Sequence, residues 1–117
     1  MAALLDELSA MGCDIDEAME RFLNNEAFYR KCLGKFLVDD VFAMLEQALK
    51  EQNVEESFNH AHNLKGVCSN LGITPMYAVV FDIVEELREG RIPVDVMEKY
   101  QQIVGIRDKI KFLLEQE

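Results

Sequence analysis

The sequence predicts an all-α fold, an up-down-up-down antiparallel four-helix bundle with short extra helices at its N-terminus. Three observations carry this. Apolar residues recur at steps of three and four almost throughout, and no stretch of clean period-2 alternation interrupts them. Only two prolines and six glycines punctuate the 117 residues. The connectors between the long one-sided segments span two to four residues, which makes consecutive helices antiparallel neighbours.

The elements follow in order. After a short amphipathic start (Leu4, Leu5, Leu8), Met11-Gly12-Cys13 breaks the pattern. Asp14, with Glu17 three residues on, reads as a capping box opening a short helix through about Leu23. Asn24-Asn25 is the next break. Asn25 can cap a long helix from Glu26 to about Glu51, with the stripe Leu33, Leu37, Val41, Met44, Leu45 and Ala48. A third segment from about Asn53 to Leu71 carries Val54, Phe58, Ala61, Leu64, Cys68 and Leu71, and Gly72 is placed to stop it. Thr74 then reads as a cap and Pro75 as the first helical residue, where proline loses no hydrogen bond. Met76, Val79, Val80, Ile83, Val84 and Leu87 follow the helical template, and Arg88 and Gly90 end it. Pro93 opens the last helix, which can run nearly to the C-terminus. Val96, Tyr100, Ile103, Ile110 and Leu114 form its stripe, with Arg107 the one polar member. The methionines sit mostly at stripe positions and read as core, and Gly34 and Gly105 read as points of close helix packing.

Length predicts one domain over residues 1–117, large enough to bury roughly two-thirds of its unfolded surface without staples. Twelve Lys and Arg against twenty-two Asp and Glu give a net charge of −10. That argues against nucleic acid and against electrostatic docking on anionic lipid. The longest apolar run, Met76 to Phe81, has six residues; a membrane span needs about twenty. The acidic N-terminus lacks the basic region of a signal peptide, so a cytoplasmic protein is expected. Cys13, Cys32 and Cys68 suit neither a disulfide framework nor a zinc knuckle. The initiating Met and the complete bundle favour a free-standing protein, and a monomer is expected.

The chemistry gathers on the third long helix, in His60-Ala61-His62-Asn63-Leu64-Lys65-Gly66. At about 100° per residue, His62 points roughly 120° from the centre of the apolar stripe, into solvent. Lys65 and Gly66 at i+3 and i+4 share its face, with Ser69 at i+7 and Asn59 at i−3. Each part suits a phosphoryl group on the histidine. A neutral imidazole is a good nucleophile near pH 7, since its ordinary pKa is about 6.5. Lys65 can partly neutralise the added charge. Gly66 leaves room for another protein's loops, which must bring the reacting atoms within about 3–3.5 Å. No Asp or Glu occurs from Ser57 to Phe81, a window of 25 residues, and Lys65 is the only Lys or Arg between Glu51 and Leu87. Keeping carboxylates away from such a site is electrostatic sense. The bland reading is a structural helix histidine, and it fits His60, which lies nearer the core edge.

The run from Ala61 to Gly66, followed by Asn70-Leu71-Gly72, resembles the signature of histidine-containing phosphotransfer (HPt) domains, in which a His is followed by Lys at +3, Gly at +4 and a second Gly near +10. His62, Lys65, Gly66 and Gly72 fill those places. Beyond the motif, Asp14 to Phe36 is similar to the family's short helix and first bundle helix, and Asp82 to Gly90 to its following helix. Val67 departs from the small residue the family places after the motif glycine; it points away from the His62 flank, so little effect on docking is expected. The resemblance implies a four-helix bundle acting as a phosphorelay intermediate. His62 would take a phosphoryl group from the phospho-aspartate of a receiver domain, through Nε2, and pass it to another receiver. Lys65 would stabilise the phosphoryl charge, while Gly66, Ser69 and Asn59 would border the docking surface and Gly72 would form a structural turn. The implied partners are response-regulator receivers and a hybrid sensor histidine kinase. No intrinsic cofactor is implied, since the magnesium that assists transfer belongs to the receiver. ATP binding is not implied either, and no glycine-rich phosphate loop is present.

Two rivals remain. One is an adaptor bundle that binds a receiver without being phosphorylated, against which the full His62, Lys65 and Gly66 set speaks. The other is a bundle metal protein or enzyme, which needs Glu-x-x-His pairs that neither His60 nor His62 completes.

Overall fold

Side-chain caps and left-handed turns set the helix boundaries in the computed structural model, which describes residues 3–116. Among these residues there are seven α-helices and no strand: α1 (Ala3–Ala10), α2 (Ile15–Arg21), α3 (Glu26–Leu37), α4 (Val41–Lys50), α5 (Val54–Leu71), α6 (Thr74–Arg88) and α7 (Val96–Glu115). The protein is all-helical, as predicted. Asp14, Asn25 and Asn53 accept from the amides of Glu17, Phe28 and Glu56 at 3.1, 3.0 and 3.1 Å, which satisfies one orphan donor at the start of α2, α3 and α5. The expected breaks are left-handed: Gly12 has φ +99°, and Leu23 and Asn24 have φ 55° and 60°.

The structure corrects several expectations. The helix expected from Glu26 to Glu51 is two helices, broken at Val38-Asp39-Asp40. The Asp39 carboxylate accepts from the Val41 amide at 2.7 Å, a local bond that competes with the helix ladder, and Val38 is 65% exposed. Leu33, Leu37, Val41 and Leu45 are nevertheless all buried, because the break keeps the phase of the stripe. Met44 leaves the stripe at 43% exposed, whereas the other described methionines are buried in the core or packed against it. Met76 is fully buried, Met11, Met19 and Met97 are half-buried, and Met1 lies outside the described residues. Ile73 rather than Thr74 occupies the cap position of α6, which moves Thr74 and Pro75 one place into the helix. The last helix starts at Val96, not Pro93: the Pro93 carbonyl closes a turn on the Val96 amide at 3.1 Å, and the Asp95 carbonyl accepts from the amides of Glu98 and Lys99. The connector before it is therefore longer than expected, residues 89–95. Gly105 marks no close packing, since an added Cβ would meet nothing within 4 Å; at Gly34 it would make ordinary contact with Leu114 at 3.5 Å.

α5 packs between α4 and α6, α6 packs on α7, and α7 closes on α3 and α4, while α1 and α2 lie against α7 and α5. The buried side chains, from Leu4 to Ile110, join in one core cluster. Two buried tyrosines satisfy backbone carbonyls across it. The Tyr29 hydroxyl donates to the Leu71 carbonyl at 2.7 Å, and that of Tyr100 to the Phe42 carbonyl at 2.8 Å.

Gly72 ends α5 in the left-handed conformation, with φ 72°. Its carbonyl accepts from the Asp14 amide at 2.8 Å, so the approach to α2 lies directly on the turn. An added Cβ would stand 2.5 Å from the Asp14 carbonyl oxygen and 3.0 Å from the Ala18 Cβ. Gly72→Ala should therefore lower stability by about 2–4 kcal/mol, from backbone strain plus overpacking, read as a drop in the urea midpoint. Burial pushes the Cys13 thiol up to about 11 and that of Cys68 to about 12. Groups with raised folded-state values contribute stability that is complete below the ordinary thiol value of 9.0 and is lost as pH rises towards 11 and 12. The melting temperature should hold up to pH 9 and fall above it. Substituting Ala at both cysteines should flatten that fall.

Candidate functional site

Periodicity places Ala61, Leu64 and Cys68 of α5 in the core, fully buried, and so turns the opposite face outward. Asn59, His62, Gly66 and Ser69 are all exposed on that face, and Lys65 is half-buried. The five residues singled out from the sequence for their chemistry or docking role thus occupy one surface. Among the described residues no hydrogen bond or ion pair involves the His62 ring; its contact is a stack on Phe58, one turn earlier, with centroids 5.5 Å apart and planes at 27°. Such a contact contributes about 0.5–1.5 kcal/mol. Its edge, which carries both nitrogens, is left unbonded. His60 differs. Its side chain is 22% exposed and its Nε2 lies 3.5 Å from the Glu56 carboxylate, in keeping with the packing role read for it.

Lys65 pairs with no carboxylate among the described residues. Its ammonium instead rests over the ring of Phe81 on α6, 5.6 Å from the centroid, and Phe81 stacks on Tyr77. An exposed cation–π contact is worth about 0.5–1 kcal/mol, little enough to give up to an incoming anion. At Gly66 an added Cβ would meet nothing within 4 Å, so the missing side chain opens space on the surface rather than between helices. The face is closed at the Ser69 end. Arg21 of α2 donates to the carbonyls of Ser69 and Asn70 at 3.0 and 3.4 Å and pairs with Glu17. Folding therefore brings a carboxylate near Ser69 that the acid-free sequence window does not contain. Val67 is half-buried against the core.

The Hpt domain family model matches residues 37–108, more than half of the chain. The chain belongs to the Hpt domain family. The matched residues of this Hpt domain include α4, α5 and α6 whole, with His62, Lys65, Gly66 and Gly72 inside them, and leave α1, α2 and nearly all of α3 outside. The chain matches no curated protein and no solved structure. Hpt domains are phosphocarrier modules that serve histidine phosphotransfer in phosphorelays, work with response-regulator receivers and histidine kinases, and have no kinase activity. Among the described residues no helix is long and apolar enough to cross a membrane, and no three His, Cys, Asp or Glu side chains gather as a metal site.

Sequence reasoning missed the aromatic floor of this face. Phe58 reads from the sequence as one more member of the α5 stripe, and Phe81 as the end of an apolar run; in the structure Phe81 is 40% exposed and Phe58 half-buried. An aromatic residue four before the histidine was the available signal. The bonds of Arg21 to the Ser69 and Asn70 carbonyls, and the contact of Arg88 with the Phe58 ring at 5.2 Å, join separate helices and left no local trace. Gly66→Ala should raise stability by up to about 1 kcal/mol, because it removes the helix penalty of glycine where nothing obstructs a methyl group. The urea midpoint of the variant checks this.

Proposed function

We propose that this Hpt domain is a phosphoryl carrier whose acceptor is His62, taking the group from a receiver-domain phospho-aspartate and passing it to a second receiver. The observation that carries the reading is the pairing of an exposed, unbonded imidazole edge at His62 with open space at Gly66 and an unpaired ammonium at Lys65, in a chain of this family. The frame is an up-down-up-down antiparallel four-helix bundle, with α3 and α4 together as its first helix, α5, α6 and α7 as the others, and α1 and α2 as extra N-terminal helices. Gly72 is the structural turn that ends the acceptor helix.

The lone pair of Nε2 attacks the phosphorus of the aspartyl phosphate in line. The acyl-phosphate P–O bond breaks and the aspartate carboxylate leaves with the electron pair, while Nδ1 keeps its proton. In the second half a carboxylate of another receiver attacks, the P–N bond breaks, and the pair returns to Nε2. Lys65 leaves Phe81 to neutralise part of the phosphoryl charge. Gly66 lets the receiver's loops close on the ring, and Asn59 and Ser69 border the contact. Magnesium in the receiver's acidic pocket would supply the remaining charge neutralisation. The expected setting is cytoplasmic and monomeric, with no ATP bound, between a hybrid sensor histidine kinase and its response regulators.

The test incubates the purified chain with magnesium and a panel of phospho-receivers and looks for acid-labile, base-stable phosphate. Wild type should take label and His62→Gln none. Lys65→Ala should transfer about tenfold more slowly while staying folded, the loss of roughly 1.5 kcal/mol of charge-assisted bonding. Gly66→Gln should fold and fail to dock. Label on an equally folded His62→Gln would overturn the acceptor assignment, and receiver binding without any label would make the chain an adaptor.

A further inference from the structure

His62 has an orientation problem that its polar surroundings do not solve. A reactive histidine is ordinarily held by a hydrogen bond to its other ring nitrogen, which fixes tautomer and ring plane together. Among the described residues no group bonds to either nitrogen of His62. An untethered exposed side chain samples several staggered rotamers, and only some present a nitrogen along the line of attack.

The contact that does restrain the ring is Phe58. A stack with planes at 27° fixes the ring plane through its face and leaves the edge, where both nitrogens lie, open. Phe58 is itself fixed. It packs on the core cluster, and its ring carries the Arg88 guanidinium of α6 at 5.2 Å. Arg88 in turn lies 3.4 Å from the Glu85 carboxylate. The plate under His62 is thus anchored by a second helix.

The geometry points to Phe58 as a positioning residue for phosphoryl transfer, an aromatic plate held by the core and by Arg88 that keeps the nitrogens of His62 turned towards an incoming phosphorus. This rests on His62 being the phospho-acceptor. A core residue, a docking contact and a positioning residue differ in what their loss would change. A core residue would lower stability alone, a docking contact would weaken the complex, and a positioning residue would slow the bound step.

The test compares wild type with Phe58→Leu, which keeps apolar volume without the ring, and Phe58→Tyr, which keeps the ring. Rapid-quench transfer at increasing phospho-receiver concentration separates the saturating rate from the half-saturating concentration. Phe58→Leu should lower the saturating rate about tenfold at unchanged half-saturation, and Phe58→Tyr should restore it. Arg88→Gln should slow transfer in the wild-type background and add nothing to Phe58→Leu, since the two act through one contact. A wild-type saturating rate in Phe58→Leu, or a rise in half-saturation alone, would overturn the proposal, and additive losses would overturn the part of Arg88. Nuclear magnetic resonance supplies a readout that needs no receiver. His62 χ1 couplings and ring-proton shifts should report one dominant rotamer in wild type and Phe58→Tyr, and averaged values in Phe58→Leu. Identical values in all three would show that Phe58 does not order the ring, and failure of wild type to take label would fall on the acceptor reading instead.

Discussion

The Asp14 amide donates to the Gly72 carbonyl at 2.8 Å, and the rest of the fold is arranged around the place where α5 ends. A helix leaves its last four carbonyls without intrahelical partners, and here each one is met. The Ile73 amide takes the Cys68 carbonyl at 3.0 Å and the Gly72 amide that of Ser69 at 3.2 Å. Arg21 reaches the Ser69 and Asn70 carbonyls, and the Tyr29 hydroxyl takes that of Leu71. Three of these donors, on Asp14, Arg21 and Tyr29, come from the segment that lies before the family match. The first helices therefore brace the end of the helix that carries His62. Of the three, the buried Tyr29 bond matters most, because losing it would strand a carbonyl away from water at about 1–3 kcal/mol. The Arg21 contacts are exposed and correspondingly weaker.

The charge of −10 is distributed with the same economy. Most of the ion pairs link residues three or four apart on the outer faces of single helices, as with Glu26 and Arg30 or Glu46 and Lys50. Such exposed pairs contribute about 0.3–0.5 kcal/mol each and hold little of the fold together. They occupy the arginines and Lys50, while Lys65 rests on an aromatic ring, with no carboxylate partner among the described residues. Gly66 continues the logic at a small cost in helix stability. A face built for stability would carry alanine there and a salt bridge at Lys65.

Legibility followed the range of the interaction. His62, the exposed face of α5, and the stop at Gly72 depend on helical phase and on a left-handed cap, and both are written within a few residues. The break at Val38-Asp39-Asp40 was hidden because Leu37 and Val41 are four apart on either side of it, which preserves the stripe that periodicity detects. The local sign was Asp39, whose carboxylate competes for the Val41 amide. Pro93 misled for a related reason. It suits a helix start, yet a turn closing on Val96 comes between. The contacts of Phe58 with Arg88 and of Lys65 with Phe81 join α5 to α6, so no single helix shows them.

Those two contacts also show how the constraint at Gly72 reaches the site. Lys65 lies seven residues before Gly72 and its partner Phe81 nine after; Phe58 lies fourteen before and its partner Arg88 sixteen after. Both pairs are centred on Ile73, as in a helical hairpin folded back on itself, and they are separated by two helical turns on each side. The register of α6 against α5 is thus set by the two-residue connector, Gly72-Ile73, which Asp14 and Ala18 clamp from outside. A connector one residue longer would rotate α6 by about 100° and take Phe81 and Arg88 away from Lys65 and Phe58 together. The glycine that ends α5 and the aromatic contacts of its exposed face are one construction, with the turn fixing the register and the register bringing Phe81 to Lys65 and Arg88 to the Phe58 ring that stacks on His62.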